Sequence, residues 1–498
     1  MRVQWFLPLA AAAVCGWPAG AWAQMPVTTG FPAITAGSIV VELQPLVTVP
    51  AEAATPPLAR VLYATPTPDA TGRLLINDIN GVLYQTSQTG AAPTPYLDLR
   101  TQGIGFVAGI DPASPGFNGF ALHPNFNGDL TKPGYGKFYT TSFTTNDGTG
   151  LTFAGNSAGS QAVSIREWTT ATPGAGSFSG TSREVMRLAG YTDGHSNGMI
   201  AFNTTAKPGS ADYGNLYIGN GDGDYNDPAF NAQNMKSPLG KMLRINPLQT
   251  AGGAPYSVPS DNPFVGTATT LPEIWASGLR NPQSFTWDAG GSHTMYINDI
   301  GQAVIEEVNI GRAGANYGWP YREGSFATGY TIGVNDENIY ALPANDASSG
   351  FSCPVAQYDH SQGNAIGSGI LYRGAAIPAL DGMYVMADIV SGRMYYFDPA
   401  TSSGCGKSPL HELIVEQGGV AINLRDTFGY DSFLVSPRVD ARLSEDANGE
   451  PLLLLKANGE VFRLGAGQTV PEPGSGEVLV GALVGLLVLR RVAQVGKE

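Results

Sequence analysis

The sequence predicts an all-β chain, and within that class a six-bladed β-propeller, on three observations. Glycine (65) and proline (36) together make up about a fifth of the 498 residues, against roughly an eighth in an ordinary globular chain. Only 14 % of residues are charged, where about a quarter is usual. Short apolar runs bounded by Gly, Asn, Asp or Pro recur in six units, with no amphipathic helix of useful length between them. Together these favour short strands and tight turns. A propeller accommodates such units because each sheet buries its faces against its neighbours and leaves only short edges. A two-domain β-sandwich is the alternative, but no linker-like change of composition divides the middle of the chain.

Taken in order, RLLINDINGVLYQT gives two strands around Asn80-Gly81, a dipeptide suited to a tight hairpin turn. GFALHPNF and GKFYTTSF supply the next pair, GMIAFNTT pairs with GNLYIGNG, and SFTWDAGGSHTMYINDIG reads as strand, turn and strand. SGILYRG precedes GMYVMADIVSGRMYYF, and PLLLLKANGEVFRL is the last unit. NDGTGLTFAGNSAGSQ and GSFATGYTIGVNDENIYALPANDASSG are expected to be loops at one end of the propeller, either functional or simple insertions.

The two ends read differently from the middle. Arg2, the apolar stretch Trp5 to Val14, and Ala21-Trp22-Ala23 before Gln24 have the layout of a secretory signal peptide over residues 1–23, so the mature chain is expected to be exported. A lipoprotein reading through Cys15 is weaker, because Ala12-Ala13-Val14 lacks the expected leucine. Residues 24–54 form a lead-in and 55–465 the propeller. In 466–498 a Pro-Glu-Pro turn precedes an apolar run, Val478 to Leu489, and then Arg490-Arg491. That run is short for a bilayer span, which needs about 20 residues. The layout resembles the PEP-CTERM sorting tail of Gram-negative bacteria; a plain hydrophobic C-terminal helix is the alternative. The resemblance implies exosortase-type sorting machinery as partner and a location in the periplasm, at the surface or in the matrix, with transient membrane anchoring.

The net charge of −14 argues against nucleic acid as a partner and is compatible with hard cations. Cys353 and Cys405 remain after removal of the leader. An oxidising compartment would allow them to form a disulfide, although sequence separation does not establish that they meet. Zinc-type clusters of histidine and cysteine, a phosphate-binding glycine loop and a G-x-S-x-G nucleophile are all missing from the sequence.

Three segments place polar groups where strands end. In GHSNGMIAFN, His195 is one of five histidines, and an imidazole with pKa near 6.5 suits general-base work on an alcohol. Alone, such a histidine is more often a structural or solvated residue. In EIWASGLRNPQSFTWD, Arg280-Asn281-Pro282-Gln283 offers a guanidinium fork beside an amide, a device for carboxylates or quinone oxygens. A surface arginine next to a turn reads the same way. In NDIGQAVIEEVNIGRAGANYGWPYREG, Asp299, Glu306, Glu307, Asn309 and main-chain carbonyls around Gly301 supply oxygens of the kind calcium takes. Asp222, Asp224 and Asp227 in IGNGDGDYND offer more of these, or form a solvated turn.

The order of these segments, with FALHPNF upstream and LSEDANGEPLLLL downstream, resembles the glucose/sorbosone dehydrogenase family over roughly residues 55–465. These are soluble aldose dehydrogenases that use pyrroloquinoline quinone (PQQ). The resemblance implies a six-bladed propeller, a small-molecule sugar substrate and an electron acceptor it does not identify. It implies that His195 takes a proton from the sugar hydroxyl while hydride passes to the quinone, and that Arg280 and Asn281 contact the quinone oxygens. Asp222 would lie on the substrate side. Calcium is implied near Gly301 and Gln302, and a second calcium near Glu307 and Tyr317. The chain also departs from the family pattern. Gly194 stands where an aspartate is expected and Ser114 where a glutamine is. The cofactor lysine falls near Val390 or Ser391, with Arg393 two residues on. Arg425, Arg438 and Arg442 are all candidates for a late arginine that grips cofactor carboxylates. Two readings follow: a quinoprotein dehydrogenase for aldoses or related polyols, or a non-catalytic calcium-containing propeller that binds carbohydrate or matrix.

Overall fold

The computed structural model describes residues 25–468 apart from 29–30, 32, 70, 110–115, 154–160, 190–194, 225, 335, 403 and 433–435. The leader at 1–23, nearly all of the sorting tail, Ser114 and Gly194 thus lie outside the described residues. The chain is all-β, as its composition predicts. Among the described residues the α-helical turns are Gly329–Ile332 and Leu424–Phe428, four and five residues long. Among the described residues no helix is long and apolar enough to cross a membrane.

Four sheets have four antiparallel strands each. The first holds Val61–Pro66, Arg73–Asp78, Val82–Ser87 and Thr94–Asp98, and the second Phe117–Leu122, Lys137–Thr145, Gln161–Thr170 and Gly180–Leu188. The third holds Asn197–Phe202, Leu216–Asn220, Lys241–Ile245 and Ile274–Ser277, and the fourth Pro282–Trp287, Met295–Asp299, Ile305–Gly311 and Ala356–Asp359. The remaining long strands form one continuous sheet made of two antiparallel runs. One run is Ile366–Leu371, Tyr384–Asp388, Met394–Phe397 and His411–Gln417; the other is Ala441–Glu445, Pro451–Leu455, Glu460–Ala466 and Thr35–Thr48. Thr35–Thr48 joins the two runs, pairing antiparallel with Glu460–Ala466 and parallel with His411–Gln417. The stretch read as a lead-in therefore completes the last run. Pro45 sits where the ladder slips register, an irregularity that tolerates its missing N–H.

The first strand of each sheet or run touches the first strand of the next. Val61–Pro66 meets Phe117–Leu122, then follow Asn197–Phe202, Pro282–Trp287, Ile366–Leu371 and Ala441–Glu445, which returns to Val61–Pro66. These strands close a ring. The core lies between neighbouring sheets, which explains strands buried along nearly their whole length, such as Arg73–Asp78, instead of an alternating pattern. Leu75 and Leu83 pack with Phe120 and Trp168, Tyr139 and Ile165 with Ile218 and Leu243, and Met242 with Phe285 and Ile297. Val308 packs with Tyr384 and Phe397, Val385 and Met394 with Leu453 and Phe462, and Leu452 and Leu454 with Leu74 and Val82. Each such side chain contributes about 1.5–3 kcal/mol of burial, and the clusters run around the ring without a break.

One predicted loop has structure of its own. Residues 324–350 carry part of a small sheet, Arg322–Glu323, Phe326–Thr328 and Ile339–Tyr340, inserted before the last strand of the fourth sheet. Cys353 and Cys405 form a disulfide with Cα atoms 4.6 Å apart.

Candidate active site

In an antiparallel meander the first strand begins at the end where the second finishes. Residues just before first strands and just after second strands therefore gather at one end of the ring. His195 and Ser196 precede Asn197–Phe202, Arg280 and Asn281 precede Pro282–Trp287, and Asp222 follows Leu216–Asn220. Residues that are far apart in sequence meet there.

His195 Nδ1 lies 2.9 Å from Asp222 Oδ1, and Asp222 is fully buried. Trp319 Nε1 donates to Asp222 Oδ2 at 2.8 Å, and the Asp222 N–H donates to the Arg280 carbonyl at 2.8 Å. A carboxylate partner on Nδ1 fixes the orientation of the imidazole and favours the tautomer that carries its hydrogen there. The histidine backbone is tied to the same loop, with the Gly223 N–H donating to the His195 carbonyl at 3.1 Å.

Arg280 is 4 % exposed. Its Nη1 donates to the Ile300 carbonyl at 3.2 Å and also to the Gly301 carbonyl, and its Nη2 donates to Gln302 Oε1. The guanidinium carbon stands 5.5 Å from the centre of the Trp319 ring. Trp319 thus links the two halves of the site, with its N–H on the histidine's carboxylate partner and its π-face on the arginine. In sequence this residue gives no functional signal beyond its place in YGWP. Both carboxylate oxygens of Asp299 hold the turn, accepting from the N–H of Arg280 at 3.0 Å and of Asn281 at 2.7 Å.

The loop after Asp299 is pinned by one carboxylate. Glu323 Oε1 accepts from the N–H groups of Gln302, Ala303, Val304 and Ile305 at 2.8–3.0 Å. Gly301 is required there, since a Cβ would lie 1.6 Å from the Ile305 carbonyl oxygen. A cavity of about 220 Å³ opens beside Trp319 and Gln302, and Asn226, Glu323, Tyr330 and Asp336 also line it. The inserted small sheet supplies one of its walls.

The residues named for a metal are split. Gly301 and Gln302 point acceptors at Arg280. Tyr317 donates its hydroxyl to the Ile310 carbonyl at 2.7 Å. Glu307 is buried opposite Asp299 in the strand register, and burial raises both carboxyls above the usual carboxylate range. Asn309 Nδ2 donates to Glu307 Oε1 at 2.7 Å, while the buried Asn309 Oδ1 has no donor among the described residues. Among the described residues no group of three or more His, Cys, Asp or Glu side chains could hold a metal ion.

The predicted cofactor cations separate as well. Arg393 is committed elsewhere, with Nε and Nη2 on Glu412 at 2.8 and 2.6 Å and Nη1 on the Gln362 carbonyl at 2.9 Å. Arg425 lies in a short helix beside the Gly392 turn, and its buried Nε has no hydrogen-bond partner among the described residues. Arg442, in the first strand of the last run, is 4 % exposed, and its Nε and Nη1 likewise have none. Tyr63 bridges the ring interior, donating to the Gln283 carbonyl at 2.7 Å. It comes from the first strand of the first sheet and Gln283 from that of the fourth, so the interior is crossed just below the site.

Comparison with known proteins agrees with this architecture. The family model for glucose/sorbosone dehydrogenase matches residues 139–413, just over half of the chain. The HIPL1 protein of Arabidopsis thaliana is 29 % identical over 381 residues, covering 66 % of this chain and 51 % of that protein. An aldose sugar dehydrogenase of Escherichia coli is 31 % identical over 138 residues, 28 % of this chain and 32 % of that one. The chain thus spans about half or less of the length of these curated relatives. Among solved structures, the PQQ-bound form of an aldose sugar dehydrogenase from Streptomyces coelicolor has a TM-score of 0.54 at 18 % identity, covering 87 % of this chain and 99 % of that one. At that identity the likeness concerns the fold alone.

Proposed function

The chain belongs to the glucose/sorbosone dehydrogenase family, and from that premise we propose that it is an oxidoreductase that oxidises aldose sugars or related polyols with PQQ as cofactor. The observation that carries this reading is the contact of His195 with buried Asp222, joined through Trp319 to Arg280. On this reading the fold is a six-bladed propeller, supported by the closed ring of first strands.

His195 Nε2 takes the proton of the sugar hydroxyl, and Asp222 holds the ring in the tautomer that permits it and stabilises the imidazolium that forms. Arg280 and Asn281 sit beside that nitrogen's loop as donors for oxygens on which negative charge develops. When bound, PQQ supplies the hydride acceptor. The chain's donor set fits a tricarboxylate quinone. Arg442 presents two buried N–H-bearing nitrogens with no acceptor among the described residues, and Arg425 presents a third. The sugar enters by the cavity at Trp319 and Tyr330, whose aromatic and amide lining suits a polyhydroxylated ring. Calcium is supported near Glu307 by the orphaned Asn309 Oδ1 and the raised Asp299 and Glu307 carboxyls, an acceptor-rich set without enough donors. We extend the proposal to export and C-terminal sorting, with which the Cys353–Cys405 disulfide is compatible.

Dye reduction with a panel of aldoses tests the reading. His195→Ala is expected to abolish turnover while the protein keeps its bound quinone absorbance. Undiminished turnover in that variant would remove the base assignment. A folded wild-type chain that binds sugar but neither quinone nor dye-reducing activity would favour the carbohydrate-binding alternative.

A further inference from the structure

Lys241 opens the third strand of the third sheet and is fully buried, as is the rest of that strand. A methionine would fill the same space, so the ammonium needs a reason of its own. Burial pushes it down to about 7, against the charges of Asp227 and Asp222. Its three N–H groups meet three carbonyls, those of Asn231 at 2.7 Å, Ala232 at 2.9 Å and Leu239 at 2.8 Å. All three lie in the loop between Leu216–Asn220 and Lys241–Ile245, which also carries Asp222. Inward-facing carbonyls need donors, and this single side chain supplies them to a stretch that forms neither helix nor strand. Gly240 permits the close approach. Its φ is +68°, and a Cβ there would lie 2.6 Å from Ala232 Cα.

What the ammonium grips leads to the site. Asp227 accepts the N–H of Asn231 at 2.6 Å and of Ala232 at 2.9 Å, so both residues are held from two sides. Asn231 Nδ2 then donates to the Asp222 carbonyl at 3.1 Å, while the Asp222 N–H is on the Arg280 carbonyl. The backbone of Asp222 is thereby fixed at both its polar groups. Gln233, next along, donates to the Trp319 carbonyl at 2.6 Å, and Trp319 is the second side-chain partner of the Asp222 carboxylate. We propose that Lys241 is a positioning residue for His195: it holds Asn231, Asn231 holds the Asp222 backbone, and Asp222 holds the imidazole. This rests on the dehydrogenase reading above and deepens it, adding a buried cation whose N–H groups are all spent on the backbone that carries the site.

Two measurements on the full chain test the assignment: the ring-nitrogen NMR signals of His195 in the cofactor-free protein, identified by their loss in His195→Ala, and kcat and KM with PQQ and an aldose. Lys241→Met is expected to shift the His195 signals and to lower kcat by about 10- to 100-fold, with KM within about threefold of wild type. Added to Asp222→Asn, the same substitution should cost less than about threefold more, because both act on one imidazole. Asn231→Ala, which leaves the ammonium in place, should repeat these effects, and it carries the test if Lys241→Met does not fold. Unaltered His195 signals in folded Lys241→Met, or in Asn231→Ala where it stands in, would overturn the proposal. So would a full additional loss in the Asp222→Asn background, which would make Lys241 a general support of the sheet. A wild type that neither binds PQQ nor reduces dye would remove the dehydrogenase reading, and the His195 signals would still decide whether Lys241 positions that ring.

Discussion

His195 and Arg280 were legible from the sequence because each stands in a short segment with a turn on one side and a strand on the other. The partner of His195 was not. Asp222 is 27 residues away and was assigned to the substrate side, and only the antiparallel return of Leu216–Asn220 brings its carboxylate to the imidazole. Trp319 carried even less signal, since a tryptophan in YGWP reads as core until its N–H is seen on Asp222. The carboxylate's function can be separated from its shape. Asp222→Asn keeps the volume but can set the wrong tautomer, and is expected to lower kcat by about 10²–10⁴-fold with little change in the unfolding midpoint. The measurement is kcat for an aldose across pH 5–9. A variant as active as wild type at every pH would remove Asp222 from the proton path.

At the scale of elements, strands were legible wherever an apolar run met a glycine or asparagine turn. The third and fourth strands of most sheets were not, because Gln161–Thr170 and Gly180–Leu188 are polar on much of their length and owe their conformation to pairing with a neighbour. The pieces that fix one sheet to the next are also invisible in sequence. Asp288, at the end of Pro282–Trp287, accepts from the Arg373 guanidinium at 2.8 and 3.0 Å, joining the fourth sheet to the run that follows. Burial alone would raise the Asp288 carboxyl. The Arg373 fork and the Ser292 N–H and hydroxyl outweigh it and push the carboxyl down to about 2. A carboxyl lowered on folding contributes stability above its unfolded value near 4, and that contribution is lost as pH falls from about 4 to 2. Arg373→Met is therefore expected to lower the unfolding midpoint at pH 7 and to flatten its fall between pH 4 and 2. Parallel acid limbs in the two proteins would show that the pair adds nothing.

For the whole molecule, low charge and abundant glycine and proline correctly predicted an all-β chain, and the recurring runs predicted sheets packed in succession. Ring closure was harder to read. Thr35–Thr48 pairs with strands from the far end of the sequence, and such a contact leaves no local pattern beyond a β-prone stretch with a proline in it. The candidate site depends on the ring locally, since His195 and Asp222 come from the third sheet and Arg280 from the fourth, whose first strands touch. On the proposed reading, this end of the ring holds a quinone and His195 takes a sugar's proton. The most direct test is titration of the full chain with PQQ in calcium, followed by addition of an aldose under anaerobic conditions while visible absorbance is recorded. Saturable binding and a sugar-dependent loss of the oxidised quinone band are expected in wild type, and binding without that loss in His195→Ala. Sugar-dependent bleaching of equal rate in His195→Ala, or no quinone binding by the folded wild type, would contradict that reading.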